Sequence, residues 1–334
     1  MLDKSPHAII AEAEQLFIDS GIITIADNFK TERIIQFDSV GNYLRHIGSK
    51  GKASGEYLAP GCITVSDSGD LWLADRGSRK ILVYSSTGEF KREITGITAP
   101  LEMAVKDSII IGSFPGYHTD MPFRLKWFDI TGKERDSALP YTTLYNVAGR
   151  LQKTDDGDVV FAQTFNDTIY SVGNNRLTPR IKMNILDVRK TEDFIRQSTK
   201  LNQKEFQKRL LNSPEIVNHL EFVNCGTDWI IRWQSGFNCT LSVITDNGSS
   251  RRDYPIVKTN TYGNDGVVYI PEWFLGYHDG YLIGYIDPEG FDYLDNSIRE
   301  KYLKRIRQNS VNTPADDEDI LNYGNLILCL YKLK

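Results

Sequence analysis

Side chains suited to metal or nucleophilic chemistry are thinly spread in this 334-residue chain. Its five histidines, His7, His46, His118, His219 and His278, form no H-x-H or H-E-x-x-H pair, the spacings that set two imidazoles on one face to share a zinc ion. The four cysteines, Cys62, Cys225, Cys239 and Cys329, include no C-x-x-C pair and read as free buried thiols. No G-x-S-x-G elbow, phosphate-cradling Walker loop or dinucleotide fingerprint occurs. The run Asp316-Asp317-Glu318-Asp319 offers carboxylates to calcium but lacks the alternating oxygen ligands and turn glycine of an EF-hand loop. It reads as a solvated loop facing Arg299, Lys301, Lys304, Arg305 and Arg307. No metal site and no cofactor are expected.

Residues suited to binding are easier to name. Tyr117 and His118 follow Phe114-Pro115-Gly116 in a long connection, where they could contact a ligand or pack on their own sheet. Arg232 and Trp233 could hydrogen-bond and stack on a planar or sugar ligand, or serve strand packing. Arg76 follows Asp75, either as a ligand contact or as part of an Asp–Arg pair that steadies a loop.

The elements that must position these residues are β-strands. The chain holds 26 glycines, 17 tyrosines and 15 phenylalanines, a composition that suits short strands joined by tight turns. A formal charge of −5 argues against a surface built for nucleic acid or anionic lipid, and no apolar run is long enough to cross a bilayer as a helix.

A repeat of about 45 residues sets the architecture. Its clearest copy reads Gly55-Glu56-Tyr57, Pro60, Ile63-Thr64-Val65, Asp67-Ser68-Gly69, Leu71 to Asp75, Ile81 to Tyr84, Thr87-Gly88. The same order occurs upstream, with Ala26-Asp27 standing 48 residues before Ala74-Asp75. Weaker copies follow around Ile109–Ile111, Val159–Phe161, Trp229–Trp233 and Tyr281–Tyr285. Short antiparallel strands at this period predict an all-β, six-bladed β-propeller of four-stranded blades over residues 1–334. The blades fall near 13–48, 60–96, 100–140, 147–183, 217–257 and 267–334. Helical insertions are expected near 187–215 and 293–310. Asn202 with Glu205 predicts a capping box, and Phe206 and Leu210 share a helix face, as do Ile298, Tyr302 and Ile306. Residues around His7–Ala11 are expected to supply the outer strand of the last blade and hide its edge.

The segment Gly55-Glu56-Tyr57, Pro60, Asp75-Arg76-Gly77, Ile81, Tyr84, Gly88-Glu89-Phe90 resembles an NHL repeat. The wider pattern, including Asp167 to Tyr170 and the closing strand Asn325 to Lys334, resembles NHL-like six-bladed propellers of exported bacterial lipoproteins. That resemblance implies export to the periplasm or cell surface, with a lipid anchor if a leader carrying a lipidated cysteine precedes this sequence. No signal peptide is visible in it. Gluconolactonase-like propellers hold a metal with acidic and amide side chains around the channel, and no such set maps onto these residues.

Both insertions and the long connections lie on one face of such a ring, opposite the tight turns. The sequence therefore reads as a non-enzymatic binding propeller that uses this face for a protein, peptide or glycan partner. A channel-centred lyase or metal-assisted hydrolase is one alternative, and a structural assembly subunit is another.

Overall fold

The computed structural model describes residues 1–114, 123–140, 149–154, 156–245, 248–256, 274–286, 296–309, 317–321 and 325–332. Six antiparallel sheets follow one another in chain order. Five have four strands and the sixth has three among the described residues. Blade one comprises Gln15–Asp19, Ile22–Asp27, Arg33–Asp38 and Tyr43–His46. Blade two runs from Pro60–Val65 to Phe90–Thr95, blade three from Glu102–Lys106 to Glu134–Pro140, and blade four from Gly149–Lys153 to Arg176–Lys182. Blade five runs from Val217–Cys225 to Arg251–Ile256, and blade six from Phe274–His278 through Tyr281–Ile286 to Ile327–Lys332. The first strand of each blade lies against the first strands of both neighbours, and blade six meets blade one, so the ring is closed.

Burial explains why the strands have these compositions. Middle strands are covered on both faces by neighbouring blades, and Leu71–Asp75 is buried at every position. Outer strands alternate with charge, as in Phe90–Thr95, where Ile94 alone is buried. Each gap between blades holds its own apolar cluster. Trp72 and Val83 of blade two meet Met103 and Val105 of blade three, and Val160 and Ile169 of blade four meet Trp229 and Ile231 of blade five. The gap between blades six and one is filled by Ile283 and Leu326 against Ile23 and Phe37.

The turn glycines register one blade on the next. Gly88 and Gly132 close the turns before the outer strands with φ of +84° and +91°. A Cβ at Gly88 would stand 2.8 Å from Ile47, and one at Gly132 would stand 2.7 Å from Ile94. Each therefore seats its turn on the outer end of the preceding blade.

Three helices fall where the periodicity predicts, and a short fourth, Asp317–Leu321, takes in most of the acidic run that the sequence reads as a loop. Helices α1 (Val188–Ser198) and α2 (Gln203–Leu211) follow the fourth strand of blade four, and α2 carries the complete Asn202–Glu205 capping box. Phe194, Phe206, Leu210 and Ile216 form a small core beneath them, joined by Phe165 from a blade-four connection. Helices α3 (Asn296–Asn309) and α4 (Asp317–Leu321) follow the second strand of blade six. They bury Leu303, Ile306 and Ile320 with Ile327, and Arg307 pairs with Asp317 at 3.0 Å. Second and fourth strands end on the same side of an antiparallel blade, so both insertions rise from one face.

Ring closure departs from expectation. Residues 7–11 form no strand; the first thirteen residues are held by side chains together with the backbone bonds Leu2 N–H to Leu326 and Asp3 N–H to Gly41. The buried Asn325 accepts from the Ile10 amide at 3.0 Å and donates to the carbonyls of Asp3 and Ala8 at 2.7 and 2.8 Å. Leu2, Ala8 and Ile10 then fill the gap between blades six and one. One side-chain amide with two donors and an acceptor satisfies here the backbone groups that a ladder would pair. All four cysteines are free, and Cys62, Cys225 and Cys239 are buried.

Candidate ligand-binding channel

Because the first strands surround the axis, their free edges enclose a cavity of ≈ 590 Å³ with contributions from all six blades. These strands start on the insertion-bearing face and end at the tight turns. Glu14, Gln15, Glu102 and Arg150 therefore mark one end of the channel, and Asp67 and Lys153 the other.

The insertion-side end is tied across several blades. Gln15 of blade one accepts from the Ile63 amide of blade two at 2.7 Å and donates to the Ile63 carbonyl at 3.2 Å. The same amide nitrogen reaches Glu102 of blade three at 3.5 Å. Glu102 pairs in turn with Arg150 of blade four, at 3.7 Å. Burial pushes the Glu102 carboxyl up from its ordinary value, and the Arg150 guanidinium opposes that shift. A second glutamine, Gln152 of blade four, accepts from the Asn224 amide of blade five at 3.0 Å. At the tight-turn end Lys153 pairs with Asp67, joining blade four to blade two past blade three.

Glu14 is held differently. Its Oε2 accepts from the Asn28 amide at 2.6 Å, while Oε1 is buried with no hydrogen-bond partner among the described residues. Burial pushes its carboxyl up to about 7; the Asn28 hydrogen bond opposes the shift, and Asp27 and Glu12 add to it. Folding thus tightens the grip of Glu14 on its proton. The stabilisation is complete below the ordinary value of 4.5 and is lost as pH rises through about 7. In thermal unfolding from about pH 4 to about pH 8, Glu14→Gln is expected to lose less stability with rising pH than the unsubstituted protein. Identical slopes would show that Glu14 does not titrate in this window.

Of the residues named from sequence, Arg76, Arg232 and Trp233 stand apart from the cavity lining. Arg76 is exposed on the insertion-bearing face, donating to the carbonyls of Pro60 at 2.9 Å and Asn28 at 2.8 Å. Its guanidinium lies 4.3 Å over the ring of Phe29, which is 60% exposed. The half-buried Arg232 pairs with the buried Glu221 at 3.1 Å inside blade five. Trp233 donates to Ser242 at 2.7 Å and lies under Arg251. Tyr117 and His118 lie outside the described residues. The channel residues Gln15, Glu102 and Arg150 were not singled out by sequence. Their signal is a polar side chain at the head of an apolar inner strand, as in Gln15–Asp19 and Glu102–Lys106. Among the described residues no three His, Cys, Asp or Glu side chains converge to hold a metal ion.

The closed ring and its axial cavity define a six-bladed β-propeller. Residues 1–332 match the family described as "Domain of unknown function (DUF4934)", and the chain belongs to that family. A search of curated proteins finds no match. Among solved structures, the fold is similar to that of a "putative exported protein" from Bacteroides fragilis NCTC 9343, at TM-score 0.75 and 16% identity over 100% of this chain and 94% of that one. A catalytically inactive virginiamycin B lyase from Staphylococcus aureus with quinupristin aligns at TM-score 0.44 and 15% identity over 74% of this chain and 71% of that one. A protein of unknown function from Bacteroides caccae aligns at TM-score 0.44 and 11% identity, over 73% and 82% of the two chains. No helix among the described residues is long and apolar enough to cross a membrane.

Proposed function

We propose that this protein is a non-enzymatic binding propeller that recognises a protein, peptide or glycan partner where the channel opens on the insertion-bearing face. The observation that carries this reading is the axial cavity of ≈ 590 Å³, within the range of small-ligand sites and lined by polar groups from several blades. The surrounding face supports it. Phe29 beside Arg76, and Phe237 at 69% exposure, stand on connections of blades one and five that leave from that side. Exposed aromatics with an arginine are the groups that carry most energy in recognition surfaces. The NHL-like pattern of blade two and the likeness to the B. fragilis protein support a location outside the cytoplasm.

The test is a binding screen of the purified protein against glycan and peptide panels, repeated with the paired substitution Glu102→Gln and Arg150→Gln. That pair removes both charges together and leaves neither one buried alone. Affinity for any ligand found is expected to fall about tenfold or more, as expected for losing one charge-assisted hydrogen bond. Unchanged affinity would move recognition away from the channel. Turnover of a ligand by the unsubstituted protein would favour the enzymatic alternative.

A further inference from the structure

Gly276 lies in the innermost strand of blade six and lines the cavity. Glycine inside a strand ordinarily answers a left-handed backbone or crowding by a neighbour. Neither applies here. Its φ is outside the left-handed region, and a Cβ built on it would find no atom of the described residues within 4 Å. By contrast Gly149, on the innermost strand of blade four, has no room for a Cβ because Phe161 stands 2.5 Å away. The pairing register also shifts between Phe274 and Gly276, a bulge that re-aims the strand beside the cavity. What remains is a bare stretch of backbone facing open space, the arrangement by which a strand admits a close-lying ligand.

Blade three stands opposite blade six in a ring of six, so Glu102 faces this gap from across the channel, flanked by Gln15 and Arg150. These groups offer a carboxylate, an amide and a guanidinium within one hydrogen-bonded chain. Among the described lining residues both Arg150 and Lys153 are matched, with Glu102 and Asp67, while Glu14, Asp19 and Asp156 add further acids. Among the described lining residues no surplus positive charge remains to hold a phosphate or a carboxylate. A hydroxyl group, by contrast, can donate to a carboxylate while accepting from an amide or guanidinium.

Building on the binding reading above, we infer that the ligand is a neutral carbohydrate whose ring lies against the bare blade-six backbone at Gly276, with its hydroxyls turned toward Gln15, Glu102 and Arg150. A bulky side chain at Gly276 would occupy the ring's place without disturbing the fold, because both the backbone conformation and the local space admit it.

The experiment uses calorimetric titration of the purified chain with neutral hexose oligosaccharides, their uronate counterparts and short peptides, for the unsubstituted protein, Gly276→Ala and Gly276→Val. Neutral oligosaccharides are expected to bind, and the uronates to bind at least tenfold more weakly. Gly276→Val should weaken the neutral sugar at least tenfold with an unchanged melting temperature, and Gly276→Ala by a smaller factor. Should the valine variant fail to fold, the alanine variant and the uronate comparison decide. Sugar binding that ignores both Gly276 substitutions overturns the placement while the binding reading stands. Peptides binding where sugars do not, with loss in the Glu102→Gln, Arg150→Gln protein, overturns the sugar class alone. Silence across every panel overturns both readings.

Discussion

Asp75→Ala is expected to cost about 4 kcal/mol and to lower the melting temperature by roughly 5–10 °C. Asp75 is fully buried at the end of the second strand of blade two. Its carboxylate accepts from the amides of Leu58 and Ala59, both at 3.0 Å, from Gly77 at 2.9 Å, and from the Ser78 hydroxyl. It thus ties the chain entering the blade to the loop leaving it. Alanine would strand three backbone donors, and the cost of an unmade buried hydrogen bond exceeds the net gain of a made one. Burial alone would push the Asp75 carboxyl up, but the bonds from Ser78, Leu58, Ala59 and Gly77 outweigh it and hold the pKa below its ordinary value. Its stabilisation is therefore complete above the ordinary aspartate range and is lost as pH falls through the folded value, opposite in sign to Glu14. Thermal unfolding at neutral pH and at about pH 3 checks both points. The alanine variant should be far less stable at neutral pH, and the gap should narrow in acid. A loss under about 1 kcal/mol would show that water replaces the carboxylate. Asp27 does the same work in blade one, accepting from Ala11, Glu12, Lys30 and Thr31.

The second large effect is expected at the seam. Asn325→Ala removes the acceptor of the Ile10 and Leu326 amides and the donor to the Asp3 and Ala8 carbonyls, at a cost of about 3 kcal/mol. The loss should be local before it is global, because Asn325 bonds Asp3, Ala8 and Ile10 within the segment that carries Leu2, Ala8 and Ile10 into the gap between blades six and one. Hydrogen exchange across the first thirteen residues should accelerate by two orders of magnitude or more, while Leu71–Asp75 in blade two stays protected. Equal protection at both places would mean that apolar packing alone holds the N-terminal segment.

These two residues show how far the amino-acid order could be read. The 48-residue shift between Ala26-Asp27 and Ala74-Asp75 is plain in the sequence, and so is the strand order around it. The carboxylate's partners are not, because Leu58 and Ala59 precede it by a whole hairpin and carry no side-chain signal. Asn325 is less legible still, since nothing near it in the chain marks it as an anchor for residues at the opposite end. The same holds for Arg232, whose partner Glu221 lies on the neighbouring strand. Its type suggests a surface role, and its ion pair with Glu221 inside the blade carries no mark in the local sequence.

Local regularities were determined by sequence alone. These are the alternation that makes strands, the glycines that permit tight turns, the Asn202–Glu205 pair that starts α2, and the period that counts blades. Each depends on neighbours a few residues away, so it survives in a linear reading. The channel was decided only by tertiary structure. Gln15, Ile63, Glu102 and Arg150 meet because four strands, each far from the next in sequence, present their heads at one end of a closed ring. Closure depends on the summed twist and packing of every blade, a quantity that no single segment encodes.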